Sequence, residues 1–210
     1  ACGARILDNL GVLDKTVLEL NTLGDAESRS GYREALVAYL RGHLDHLSAE
    51  SRERLDRNPL RILDSKDEGD RRIIADAPLF TDFLNEESRI FFEELRAGLD
   101  TLEITYTLNP RLVRGLDYYC HTAFEFTTTA LGAQGAVLAG GRYDGLIGMM
   151  GGAQTPGVGW AGGIERLSML CGEALPAPQP IAIVPVGAST KDVAFQLAET
   201  LRRDGFRIDL

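Results

Sequence analysis

The chain has 210 residues, enough for one large domain or for one domain and part of another. Its hydrophobic fraction of 44% and charged fraction of 25% are ordinary for a globular protein, and no apolar run is long enough to cross a bilayer. The net charge of −9 argues against nucleic-acid binding by bulk charge, while leaving room for local basic faces on an acidic enzyme.

Over Ala1 to Leu13, the residues Ile6, Leu7, Leu10 and Leu13 recur at helical spacing. Val17-Leu18-Glu19-Leu20-Asn21 predicts a short strand closed by Gly24. Tyr32, Leu36, Tyr39, Leu40, Leu44 and Leu47 form an apolar stripe that predicts a helix from Ser28 to Leu47. Ser48 is suited to cap a further helix through Leu55, which Asn58-Pro59 ends. The charged stretch from about 60 to 100 stays helical in character, breaks around Pro78 and Asp82, and resumes helical periodicity from Glu86 to Leu99. Such an all-helical segment reads as a packing or recognition module.

After about residue 103 β-formers dominate. Ile104–Leu108, Tyr118–Thr129 and Gly135–Ala139 predict strands, with a turn at Leu131-Gly132. Val158–Gly162 predicts another strand and Ile164–Gly172 a helix. The succession predicts an antiparallel sheet with a helix packed on it. Pro176, Pro178 and Pro180 then stiffen a linker over 175–180. Ile181–Val186 reads as a buried strand, Lys191–Asp204 as a helix terminated by Gly205, and Phe206–Leu210 as a second strand. This is the opening of a strand-helix-strand unit with a parallel sheet.

Cys2, Cys120 and Cys171 show no metal-finger spacing and read as reduced thiols of a cytoplasmic protein. His43 and His46 sit three apart on a predicted helix without an acid or cysteine cluster to complete a site, so no metal centre is expected. No basic-then-apolar leader opens the sequence.

Three segments carry chemistry. The first is Leu112-Val113-Arg114-Gly115-Leu116-Asp117-Tyr118-Tyr119, leading into a strand. Strand alternation places Tyr119, His121, Ala123 and Glu125 on one side, polar enough for an open pocket, and Tyr118, Cys120, Phe124 and Phe126 on the other, fit for a core. Both tyrosines face the pocket only if the backbone bulges, which Gly115 upstream could permit. The second segment is Ala139-Gly140-Gly141-Arg142-Tyr143-Asp144; its glycines suit either a simple turn or a close approach of backbone to a small ligand. The third, Gly157-Val158-Gly159-Trp160-Ala161-Gly162-Gly163-Ile164-Glu165-Arg166-Leu167, formally matches Gly-x-Gly-x-x-Gly. A loop precedes it and the proline linker follows where a ribose-binding acid belongs, so a dinucleotide fold is rejected.

In their length, order and spacing, the first two segments resemble the two signature motifs of histidyl-tRNA synthetases, and Phe124-Glu125 matches the end of the first. The third resembles the third motif of class II synthetases. The resemblance implies a class II synthetase-like α+β fold, with a partial catalytic domain over residues 1–174. Within it lie a helical insertion at about 25–100 and a histidine-site sheet at about 103–173. A truncated α/β anticodon-binding domain begins at 181.

The implied reaction joins histidine and ATP, with Mg2+, as histidyl-adenylate and pyrophosphate; the histidyl group then passes to tRNA(His). No permanently bound cofactor, DNA or membrane is implied. By residue, the resemblance makes Arg114 the catalytic guanidinium on the α-phosphate and a histidine-binding residue together with Tyr118, Tyr119, Tyr143, Gly140 and Gly141. It makes Arg166, with Gly162, the ATP-binding group at the γ-phosphate. A rigid, permanently ionised guanidinium suits phosphate oxygens, and a phenol can donate to or accept from imidazole. In this family the first two class II motifs and much of the homodimer interface precede such a region. The chain is therefore expected to be a fragment, inactive by itself. A non-catalytic regulatory subunit of ATP phosphoribosyltransferase is the alternative, opposed by the unit starting at Ile181 and by Arg114 and Arg166. A binding module that keeps histidine or tRNA affinity without catalysis is a third reading.

Overall fold

The computed structural model describes residues 1–114, 118–132, 135–172 and 179–210. The chain divides into two compact units, Ala1–Cys171 and Gly172–Leu210. The expected boundary at 174 and most of the expected linker fall outside the described residues.

The first unit opens with helix α1 (Cys2–Asn9), which buries Ala4 and Leu7, and strand β1 (Val17–Thr22). Helices α2 (Ala26–Arg41), α3 (Ala49–Arg57), α4 (Glu68–Ala75) and α5 (Glu86–Thr101) follow. Their N-termini share one local solution. Asp25, Ser48, Asp67 and Asn85 each accept from the amide three residues on, those of Ser28, Ser51, Asp70 and Ser88. Such a cap stabilises a helix by about 1 kcal/mol. The helix expected to reach Leu47 stops at Arg41, because the chain turns at Gly42 and makes only a 3₁₀ turn over Leu44–His46 before Ser48 starts the next helix. Asn58 leaves helical geometry before Pro59, as the preproline clash demands.

Strand β2 (Thr107–Leu108) is shorter than expected. Glu103 takes a positive φ, and Ile104 and Tyr106 pack into apolar clusters instead of pairing. Strand β3 (Cys120–Thr128), strand β4 (Gly135–Arg142), the single-turn helix α6 (Leu146–Met149), strand β5 (Val158–Gly162) and helix α7 (Ile164–Cys171) complete the unit. The five-stranded sheet has the order β2-β1-β3-β4-β5, with β1 and β2 parallel and the other pairs antiparallel. Because β4 runs on to Arg142, both glycines of the second motif lie inside a strand.

Each face of the sheet has its own core. On one, Leu18, Phe126 and Leu138 pack with Ala4, Leu7 and Leu170 from α1 and α7, and Leu20 meets Phe92 and Leu99 of α5. On the other, Ala123 and Tyr119 join Tyr32, Leu36, Leu40, Ile62 and Phe80, so the core of the helical segment is continuous with the sheet. Asp70 is wholly buried there. It accepts from the Ser48 amide (2.8 Å) and from the hydroxyls of Ser48 (2.7 Å), Ser51 (2.5 Å) and Ser65 (2.7 Å), which ties three turns of the segment together.

In the second unit, β6 (Ile181–Ala182) pairs in parallel with β7 (Ile208–Asp209), and helix α8 (Lys191–Arg203) connects them. Gly205 leaves that helix at φ +89°. The expected buried strand over Ile181–Val186 is corrected: it pairs for two residues only, and Val184 and Val186 are 77% and 82% exposed. Pro185 has no amide to pair, and among the described residues β7 is the one strand that pairs with β6. Among the described residues no helix is long and apolar enough to cross a membrane.

Candidate functional site

The segment ahead of β3 is anchored before it reaches the site. Arg111 donates to the backbone carbonyls of Pro78 (3.0 Å), Ala75 (3.0 Å) and Ala77 (2.6 Å), and the Asn21 amide group donates to the Leu112 carbonyl (2.9 Å). This clamp between the helical segment and β1 aims Arg114 at the sheet. There Arg114 pairs with Glu125, and its guanidinium carbon lies 5.8 Å from the centre of the Tyr119 ring. Arg114 Nε is buried without a hydrogen-bond partner among the described residues. Burial pushes the Glu125 carboxyl up, and the neighbouring Arg114 guanidinium draws it part of the way back. Gly115–Asp117 lie outside the described residues, and with them the bulge expected at Gly115.

Both tyrosines nevertheless reach one cluster. The ring centres of Tyr118 and Tyr119 are 4.6 Å apart, and that of Tyr143 lies 5.7 Å and 6.1 Å from them. Tyr118 precedes the strand, so alternation does not bind it. Its hydroxyl is held above the ordinary phenol value, first by its hydrogen bond with Tyr119 and then by burial. Arg29 of α2 fixes Tyr119 by donating to its carbonyl at 2.8 Å.

The irregularity in β3 comes after the tyrosines. The register shifts between Cys120 and Ala123, and His121 sits at φ 47° with its amide bonded to the Gly24 carbonyl. His121 is thereby turned off the side it was expected to share with Tyr119, and its ring stacks 4.6 Å from Phe91. That expectation is corrected, because strict alternation fails across a bulge.

Gly140 and Gly141 make room for protein neighbours. A Cβ at Gly141 would come within 2.8 Å of Tyr119 Cδ1 and 2.5 Å of the Thr122 carbonyl oxygen; one at Gly140 would come within 2.5 Å of Trp160 Cβ. Tyr143 lies over Gly157, to whose carbonyl its own amide donates at 2.8 Å. Arg142 pairs with Asp144 at 2.7 Å.

Arg114 and Glu125 wall a polar cleft of about 780 Å³, together with Glu19, Lys66, Arg71 and Thr127. Glu19 and Glu125 are directly opposed across β1 and β3, and Thr127 donates to Glu19 at 3.1 Å. The Tyr118–Tyr119–Tyr143 cluster touches the cleft through Arg114 rather than lining it. Gly135 and Ala136 line the far wall, and Arg166 of α7 lies beside them, donating to the Ala136 carbonyl at 2.8 Å. Gly162 pairs with Leu138 at the exposed β5 edge. The sequence-derived residues thus fall into two groups, the Arg114–tyrosine cluster and the Arg166–Gly162 end of β4 and β5. Glu19 and Arg29 had no sequence signal, since each acts through a partner about ninety positions away.

A second cleft, of about 350 Å³, opens on the opposite sheet face among Leu18, Leu20, Phe91, Phe124, Phe126 and Trp160. Its lining is mostly apolar and includes the Arg142 side chain.

The family model for histidyl-tRNA synthetase matches residues 13–167. A histidine–tRNA ligase of Rhodospirillum rubrum is 59% identical over 210 residues, covering 100% of this chain and 51% of the relative. One from Gluconacetobacter diazotrophicus is 54% identical over the same span, again 51% of its length. The chain therefore spans about half the length of the curated relatives it matches. The crystal structure of apo Staphylococcus aureus histidyl-tRNA synthetase superposes with a TM-score of 0.74 at 36% identity, covering 98% of this chain and 51% of that one.

Proposed function

The chain belongs to the histidyl-tRNA synthetase family, and on that premise we propose that the protein carrying it is a histidine–tRNA ligase. It activates histidine with ATP and Mg2+ as histidyl-adenylate and transfers the histidyl group to tRNA(His). The observation that carries the reading is the position of Arg114: stacked on Tyr119, paired with Glu125, and open to a cleft of about 780 Å³ walled by further charged side chains.

In-line attack of the histidine carboxylate on the α-phosphate builds negative charge on the phosphoryl oxygens. Arg114 meets that charge, with Nε as a donor that has no partner among the described residues. Glu125 holds the guanidinium in place. Tyr119 and Tyr143 read the imidazole, Tyr118 lines the same site, and Gly140 and Gly141 let Tyr119 and Trp160 close against the strand. Arg166, at the Gly135–Ala136 wall with Gly162 nearby, takes the γ-phosphate.

The same proposal covers the rest of the architecture. Residues 1–174 are part of the catalytic domain, with 25–100 as its helical insertion and 175–180 as a linker, and 181–210 open an α/β anticodon-binding domain. The full protein is a cytoplasmic homodimer, and the 210-residue piece alone is inactive. The test is histidine-dependent exchange of pyrophosphate into ATP. The full-length protein exchanges with histidine and with no other amino acid, and the isolated chain does not exchange. A full-length protein that binds histidine without exchange would sink the ligase reading.

The regulatory-subunit alternative gains nothing specific. Its solved counterpart, described as an ATP phosphoribosyltransferase regulatory subunit/histidyl-tRNA synthetase from Bacillus halodurans, is 16% identical with a TM-score of 0.58, a likeness of fold alone.

A further inference from the structure

Cys120, His121 and Asp144 converge next to the tyrosine cluster: one ligand atom of each lies within 4.8 Å of the other two. On a regular strand the neighbours Cys120 and His121 would point to opposite faces. The register shift between Cys120 and Ala123, with His121 in the left-handed region, cancels that alternation and lets both side chains reach the turn after β4. A non-glycine residue held in that region is strained, and such strain collects at ligand sites.

The turn is organised around the same group. The Asp144 amide donates to Cys120 Sγ at 3.4 Å, and its carboxylate accepts from Arg142 Nε at 2.7 Å and from the Gly157 amide at 3.2 Å. His121 Nδ1 is buried and has no hydrogen-bond partner among the described residues. The acids Asp25, Glu87 and Asp144 face the arginines Arg29 and Arg142 around the pair, so the local charge does not repel a divalent cation.

We propose that Cys120, His121 and Asp144 bind a soft divalent cation, zinc by preference. A thiolate, an imidazole and a carboxylate are borderline-soft donors that favour zinc or cobalt over magnesium or calcium. A tetrahedral zinc site sets its sulfur and nitrogen ligands about 3.5 Å apart, so closure from separations of up to 4.8 Å needs roughly 1.3 Å of side-chain movement at most. The Cys120 proton leaves to solvent on binding, and three protein ligands leave one position for water. The bound metal staples the bulge after Tyr119 to the turn after Tyr143. It thereby holds the spacing of those two rings. This inference concerns metal binding and stands whether or not the protein is a ligase.

The test uses the full-length protein that carries this sequence, stripped with a chelator under reducing conditions and titrated with Co2+. The expected result is a thiolate-to-cobalt charge-transfer band that saturates at one ion per chain and disappears when Zn2+ is added. Cys120→Ser removes the band while far-ultraviolet circular dichroism stays unchanged, and the double variant Cys2→Ser/Cys171→Ser keeps it. Asp144→Asn retains every thiol and supplies a second test. Outer-shell changes alone cost roughly 10–100-fold in metal affinity, so loss of a ligand weakens Co2+ by at least about tenfold. Absence of the band in the unmodified protein, its survival in Cys120→Ser, or unchanged affinity in Asp144→Asn each overturns the proposal.

Discussion

The guanidinium carbon of Arg114 stands 5.8 Å from the centre of the Tyr119 ring, and the same side chain is paired with Glu125. One cation is thus held between an aromatic face and a half-buried carboxylate. A ligand entering the cleft meets a preset donor rather than a mobile one, which is the condition under which a charge is worth most to a transition state.

Replacing Arg114 tests that condition directly. In the full-length protein Arg114→Ala is expected to slow histidine activation roughly 10²–10³-fold, about 2.7–4 kcal/mol of barrier. Arg114→Lys recovers little, since a point charge cannot reproduce the planar fork. Pre-steady-state adenylate formation measures it, and a loss confined to the KM for ATP would speak against a transition-state role.

Gly141 is where the strand must come close to Tyr119. Gly141→Ala places a methyl within 2.8 Å of the ring and 2.5 Å of the Thr122 carbonyl oxygen, and the backbone contact cannot yield by a rotamer change. Overpacking of this kind costs about 1–3 kcal/mol. Denaturant melts should show that loss, and the KM for histidine should rise as the ring shifts.

Arg111 joins the helical segment to the loop that carries Arg114, through the carbonyls of Ala75, Ala77 and Pro78. Hydrogen bonds to a charged group contribute about 1.5–3 kcal/mol, so Arg111→Ala is expected to destabilise by that order. It should also lower the activation rate at saturating histidine, because Arg114 loses its anchor. Urea unfolding combined with single-turnover kinetics separates the two effects.

Asp70 gives the helical segment a pH dependence. Burial raises its pKa, but the Ser48 amide and the serine hydroxyls outweigh that and hold the carboxyl below its ordinary value of 3.8. A carboxylate with a depressed folded pKa adds stability that is fully present above the unfolded value and is lost as pH falls through it towards the folded one. The urea midpoint should therefore drop as pH falls below about 4, and more steeply than in Asp70→Asn. At neutral pH, Asp70→Ala leaves buried donors without an acceptor and costs about 3 kcal/mol or more. A midpoint with equal pH slopes in the native protein and Asp70→Asn would rule this out.

Much of the fold was legible in the sequence because local rules determine it. The apolar stripe at Tyr32, Leu36 and Leu40, the cap at Ser48, the stop at Asn58-Pro59 and the strand Val158–Gly162 each depend on a few neighbouring residues. The motif segments were legible in the same way, as consecutive residues whose order marks the family. What only the tertiary structure decided involves residues far apart in the chain. The bulge that turns His121 away from Tyr119 follows from how β3 registers on its neighbours. The Arg114–Glu125 pair, the serine cage around Asp70 and the meeting of Cys120 and His121 with Asp144 require elements to be packed before their polar atoms can meet. The short pairing of Ile181–Ala182 has the same origin, since a hydrophobic run becomes a buried strand only where other strands and a covering layer exist to take its hydrogen bonds and its surface.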